Sequence, residues 1–222
     1  MFKEDVKEAE QVLDRMLVHL LTVSPTRGRS GSALRRAVGD VVAHAQSLLH
    51  DDLIGPPLAN CFELARQTGL TMQNAAAVRA RIEQEQPELL GAVLIKNAGI
   101  NFCLVTEARI IADTTFVSRQ DIDAEKLVMN DAFNAAEDVA ADDMDQMTYQ
   151  ALVALHAAVT FYLVETGRPL PRLLNFQFST ALPTLVMAHK LYADAGRADE
   201  LRAENKVVHP AFAPRIGVAL SK

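Results

Sequence analysis

Residues 88–113 read ELLGAVLIKNAGINFCLVTEARIIAD, and this stretch decides the fold. It is apolar on nearly all sides at helical spacing, and a helix of that kind belongs at the centre of a bundle. Within it Lys96, Asn97 and Asn101 would each be costly at bilayer depth, so the pattern predicts a buried helix and no membrane span. Asn97 and Asn101 stand one turn apart. Such a pair either lines a pocket or forms hydrogen-bonded core groups, and the second is the common case. The same holds for His189, which shares a helix face with Leu185, Val186 and Tyr192.

Working outward from this centre, both flanks read as helices. Toward the N-terminus, Pro87 suits the start of the central helix, because it lacks only an N–H that would be unpaired there. Thr71 is placed to cap a helix running to about Glu85, and Leu58, Phe62 and Ala65 make a shorter one closed by Gly69. Leu34, Val38, Val41, Ala45, Leu48 and Leu49 form one stripe capped by Ser32 and ending before Gly55-Pro56-Pro57. Val6, Ala9, Leu13, Met16, Leu17, Leu20 and Leu21 form another, over residues 1–24. Between these two stripes, SPTRGRSGS has no apolar side chain, which predicts a flexible hinge over residues 25–32.

Toward the C-terminus, Ser118 with Asp121 resembles a capping box, and Asp145 can cap the helix that Gly167 and Arg168-Pro169-Leu170-Pro171 terminate. LLNFQFST, residues 173–180, alternates as a short extended segment. Pro183 restarts a helix, Gly196 breaks it, and residues 206–222 hold too many prolines for helix. The expected architecture is therefore mainly α: a helical domain over residues 33–205 around the central helix, with residues 206–222 as an extended C-terminal arm.

Composition narrows the chemistry. The chain has 222 residues, half of them hydrophobic, and a formal net charge of −6. Residues 121–150 carry nine acidic side chains against one lysine, so that segment contributes −8 and the rest +2. Duplex DNA binding needs the opposite balance, and no nucleic-acid partner is expected. Cys61 and Cys103 sit among apolar neighbours without metal-ligand spacing, as core thiols do. MFKEDVKEAEQ alternates charges where a secretory leader would be apolar, so residence in the cytoplasm where the protein is made is expected.

His44, His50, Asp51 and Asp52 form the one histidine-acid cluster, but His44 and His50, about 240° apart around a helix, do not share a face. Asp138 and Asp142 lie one turn apart, yet Glu137, Asp138, Asp142, Asp143 and Asp145 lack the glycine-centred loop of a calcium site. With no serine elbow, cysteine-histidine set or phosphate-cradling loop, the reading is non-enzymatic, with neither cofactor nor metal. A hydrolase built on His50 and Asp51 fits poorly. The acidic face, especially Asp138, Asp142 and Asp143, is suited to a basic partner. In the tail, Pro210, Phe212, Pro214 and Ile216 are candidate partner-binding residues, because an arm rich in apolar side chains must lie against something.

Two passages carry a family likeness. GSALRRAVGDVVAHAQSLLHDDLIGPPLANCFELA, residues 31–65, and LPTLVMAHKLYADAGRADELRAENKVVHPAFAP, residues 182–214, resemble the C-terminal helical part of the Mu-like bacteriophage DNA circularisation protein, or N protein. The second is the more specific, with Leu182-Pro183, Leu191-Tyr192, Asp194-Ala195, Arg197-Ala198, Glu200, Asn205 and His209-Pro210 in order before Phe212 and Pro214. The resemblance implies a virion tail or baseplate component that contacts other tail proteins and forms homo-oligomers. That family is defined by a β-rich N-terminal domain, for which residues 1–30 show no strand pattern, so the ring-building role of that domain is not carried over. The competing reading is a bacterial helical adaptor or regulator unrelated to virions.

Overall fold

A computed structural model of the chain describes residues 3–221. The fold is mainly α, as the sequence predicts, and the described residues also form one two-stranded antiparallel sheet. It divides into two compact units. The first holds the chain up to Thr114 together with Met129–Val159, and the second holds Thr115–Val128 with the chain from Thr160 onward.

In the first unit, α1 (Lys3–Val23) buries Val6, Ala9, Val12, Leu13, Met16, Leu17 and Leu20 on one stripe. It is followed by α2 (Gly28–Ala43), α3 (Ala45–His50), α4 (Gly55–Gln67), α5 (Met72–Glu83) and α6 (Leu90–Asp113). The predicted stripe over residues 34–49 is real but breaks at His44, which leaves helical geometry between α2 and α3. Thr71 caps α5 by accepting from Asn74 N–H, and Gly69 takes a positive φ at the end of α4. Apolar burial of this one continuous core is the main source of stability.

Three boundaries differ from the sequence reading. Residues 1–24 are not a separate segment, because α1 lies in the same core as α4, α5 and α6. The hinge over residues 25–32 is mostly helix, since α2 starts at Gly28, and Ser32 donates to the Gly28 carbonyl instead of capping. Gly31 explains this: a Cβ there would collide with the Thr26 backbone, so the glycine serves close approach rather than flexibility. Finally, α6 begins at Leu90, past Pro87. Its leading N–H groups are taken by α1 carboxylates, with Glu8 accepting from Glu88 and Leu89 at 2.9 and 2.8 Å and Asp5 from Gly91 at 2.7 Å. Helix starts need such partners, and here they come from far along the chain.

On α4, the Glu63 carboxylate accepts from Arg66, Gln67 and Arg109. Arg66 first, then Gln67, hold it down at about 2 against 4.5 for a free glutamate. The folded value lies below the unfolded one, so the stability Glu63 lends is complete above pH 4.5 and is lost as the pH falls toward 2. Glu63→Gln is expected to cost on the order of 1–2 kcal/mol at neutral pH, after discounting for solvent screening. In acid denaturation series that gap should close toward pH 2; a gap that stays constant with pH would show that the carboxylate charge is idle.

In the second unit, α7 (Arg119–Asp142) opens on the predicted capping box, with Ser118 and Asp121 exchanging backbone-to-side-chain bonds. The end of α8 (Gln146–Gly167) leads to β1 (Leu173–Gln177), α9 (Thr184–Tyr192), a 3-10 turn at Ala195–Arg197, α10 (Ala198–Glu204) and β2 (Ile216–Leu220). On α9 the buried face is Thr184, Met187, Ala188 and Tyr192, while Leu185 and Val186 point outward. The helix stops at Ala193, which takes the left-handed conformation, three residues before Gly196.

The C-terminal segment is extended in backbone, as read, but residues 206–222 are not a free arm. β2 pairs with β1 from Leu173↔Leu220 to Gln177↔Ile216. Asn205 mimics a neighbouring strand, donating to the Val218 carbonyl at 2.7 Å and accepting from Val218 N–H at 2.8 Å. Gly217 is required there, since a Cβ would strike Asn205 and the Phe176 ring. Unpaired backbone on a strand is costly, and β1 supplies the nearest complement.

Candidate functional site

In the first unit a cleft of about 390 Å³ lies between α6 and α7. On α6, Leu94, Asn97, Ala98 and Asn101 share one face at helical spacing. On α7, the opposing face is Ala132, Ala135, Ala136, Val139 and Ala140, with Asp143 beyond its end. Alanine wins here by default: with no side chain past Cβ, α7 leaves a trough where larger residues would fill the space. The volume lies within the range of small-molecule and side-chain pockets.

Polar groups edge this apolar floor. Lys96 Nζ is committed to the Glu85 carbonyl at 2.7 Å, and Asn97 Nδ2 donates to Asp143 at 3.2 Å. Asp145 accepts from Thr148 N–H, and that hydrogen bonding holds its carboxyl below the usual range. The Asn101 carboxamide has no hydrogen-bond partner among the described residues. Of the two asparagines singled out in the sequence, neither is a sealed core group and both line the cleft.

Behind α7, in the same unit, the His156 ring stacks on Phe133 with centroids 4.9 Å apart. Its Nδ1 meets Glu137 at 2.9 Å and its Nε2 meets Asn130 at 3.0 Å. These contacts fix α8 to α7. Buried between α5 and α6, Arg79 Nε binds Glu107 at 3.0 Å and Arg79 Nη1 binds Glu83 at 2.9 Å. The thiols are correspondingly inert: burial first, then Asp40, pushes Cys61 up to about 11, and burial first, then Glu107, raises Cys103 well above the usual thiol value.

The sequence-named residues fall in separate places. Asp143 lies on the cleft, while Asp138 and Asp142 are exposed on α7 in the same unit. Pro210, Phe212, Pro214 and Ile216 belong to the second unit and are all exposed. In the histidine-acid cluster, His50 pairs with Asp51 and His44 turns to the Asp40 carbonyl, so the two rings do not converge. Among the described residues no group of three potential metal ligands comes together.

Two helices, α6 and α8, are long and apolar enough to cross a membrane by length and composition alone. In α6 the fully buried Glu107 is ion-paired inside the protein core. In α8 only 17% of the most apolar window is buried. What the sequence did not reveal is the alanine trough, because alanine fits any helix face and carries no pattern signal.

Comparison with known proteins adds no assignment: no protein-family profile matches the chain, and no curated protein matches it.

Proposed function

We propose that this chain is a non-catalytic structural module that works by binding other proteins, and that it serves as a component of a Mu-like phage tail or baseplate. The observation that carries the reading is the loop over residues 206–215 and its margin, where Val208 is 98% exposed, Phe212 77% and Ile216 67%. Large apolar side chains gathered at such exposure mark an interaction surface more than idle surface. They lie in and beside the 182–214 passage on which the family resemblance rests. No catalytic constellation competes with this reading among the described residues.

The test is a Val208→Asp/Phe212→Asp double variant, with the tail proteins of the encoding phage or prophage as partners. Because both side chains are exposed, the variant should keep the wild-type circular dichroism spectrum and melting temperature. It should be missing from assembled tail particles. Incorporation at the wild-type level would sink the reading, and capture of a host protein by a chain absent from particles would favour a cellular adaptor.

A further inference from the structure

We infer that the α6/α7 cleft receives the 206–215 loop of a second copy of this chain, joining subunits head to tail. This rests on the assembly reading above and deepens it by naming the partner. It starts from two surfaces that the fold leaves unfilled, a projecting apolar loop in the second unit and an apolar trough in the first.

The loop is a fixed knob. Thr184 N–H binds the Pro210 carbonyl at 2.8 Å, Phe212 N–H binds the His209 carbonyl at 3.0 Å, and Ala213 is buried beneath. The His209 and Phe212 rings pack 5.3 Å apart. Val208 and Phe212 therefore project from an ordered base, which lowers the ordering cost of docking. The trough is the matching hole, with a small-residue floor, room for an aromatic ring, and the Asn101 carboxamide free to bond a partner's backbone.

Charge selects the pairing. Residues 206–215 carry Lys206 and Arg215 and no acid, whereas the cleft is edged by Asp143 and Asp145, and Lys96 beside them is committed to the Glu85 carbonyl. Neither of these two carboxylates, nor Lys206 or Arg215, is in a salt bridge among the described residues. Knob against knob would set like charges together, and so would rim against rim. Knob into rim neutralises both, which favours a contact between the two different surfaces over a contact of either surface with itself. Each subunit then offers one knob and one hole, the condition for a ring or a filament.

Sedimentation velocity of the full chain from micromolar to millimolar concentration tests this. The wild type should grow in mass with concentration, while Phe212→Asp, which spoils the knob, and Ala135→Arg, which blocks the hole at an exposed position, should each associate at least about tenfold more weakly. Mixed together, the two variants should form a one-to-one dimer, because one still has a hole and the other a knob. A contact of knob with knob, or of cleft with cleft, cannot be rescued in this way. Asp143→Lys replaces Ala135→Arg if the latter fails to fold. The inference is overturned if the wild type remains monomeric throughout, if association survives both variants, or if the mixture stays monomeric. A monomeric wild type that still enters tail particles would overturn this inference alone and leave the assembly reading standing.

Discussion

Replacing Glu107 by alanine is expected to lower the stability of the chain by about 3–5 kcal/mol, the usual cost of stranding one partner of a buried ion pair. Glu107 is completely buried and Arg79 is 9% exposed, so water cannot take over the released guanidinium. Glu83 remains as a second partner at 2.9 Å, but its side chain is 42% exposed and its pairing correspondingly screened. For a chain of this length the loss corresponds to a melting temperature lower by roughly 6–20 °C. Denaturant titration should show the midpoint moving without a change in slope. The companion variant Arg79→Leu/Glu107→Leu should recover most of the loss, since removing both charges leaves neither unpaired. A single-variant loss under about 1 kcal/mol would mean that solvent reaches the pair after all.

Deleting residues 206–222 is expected to be as damaging, for a reason that reverses the sequence reading of this segment as an arm. Without β2, the β1 backbone loses its partner from Leu173 to Gln177, and Asn205 loses both bonds to Val218. Ala213 and Ala219 leave a cluster that includes Phe176, Met187, Tyr192 and Leu201, and the buried Leu220 is lost with them. Several kcal/mol are at stake from the strand pairing and burial together. Amide exchange over residues 173–177 should lose its protection, and melting should become broader and earlier. Phe212→Ala, by contrast, should stay within about 0.5 kcal/mol of wild type, as exposed substitutions do. A truncated chain that melts like the full one would show that the strand pair is dispensable. The pairing also fixes how function is to be probed, because only point variants in the exposed loop separate binding from folding.

That tail shows how sequence and structure divide the information. Its apolar residues do demand a surface to lie on, but they split: Ala219 and Leu220 join the core, while Val208, Phe212 and Ile216 stay outside. Alternation and proline content alone cannot say which strand will be met. The same limit applies at the cleft. The one-turn spacing of Asn97 and Asn101 was legible, and so was the acidity that includes Asp143. That α7 would present alanines opposite them was not.

By itself, the sequence determined the mainly helical class, the central position of α6, the caps at Thr71, Ser118 and Asp145, and the stop after Gly167. Each is a local property: helical periodicity, a side chain bonding an N–H three residues on, or a proline lacking a donor, all settled within a turn or two of chain. Only the tertiary structure decided that Glu8 and Asp5 complete the start of α6, that Gly31 serves close approach instead of a hinge, that Arg79 finds Glu107, and that β2 returns to β1. These depend on groups far apart in sequence being packed together, and the hydrophobic burial that packs them is non-directional, leaving no mark in the local pattern of either partner.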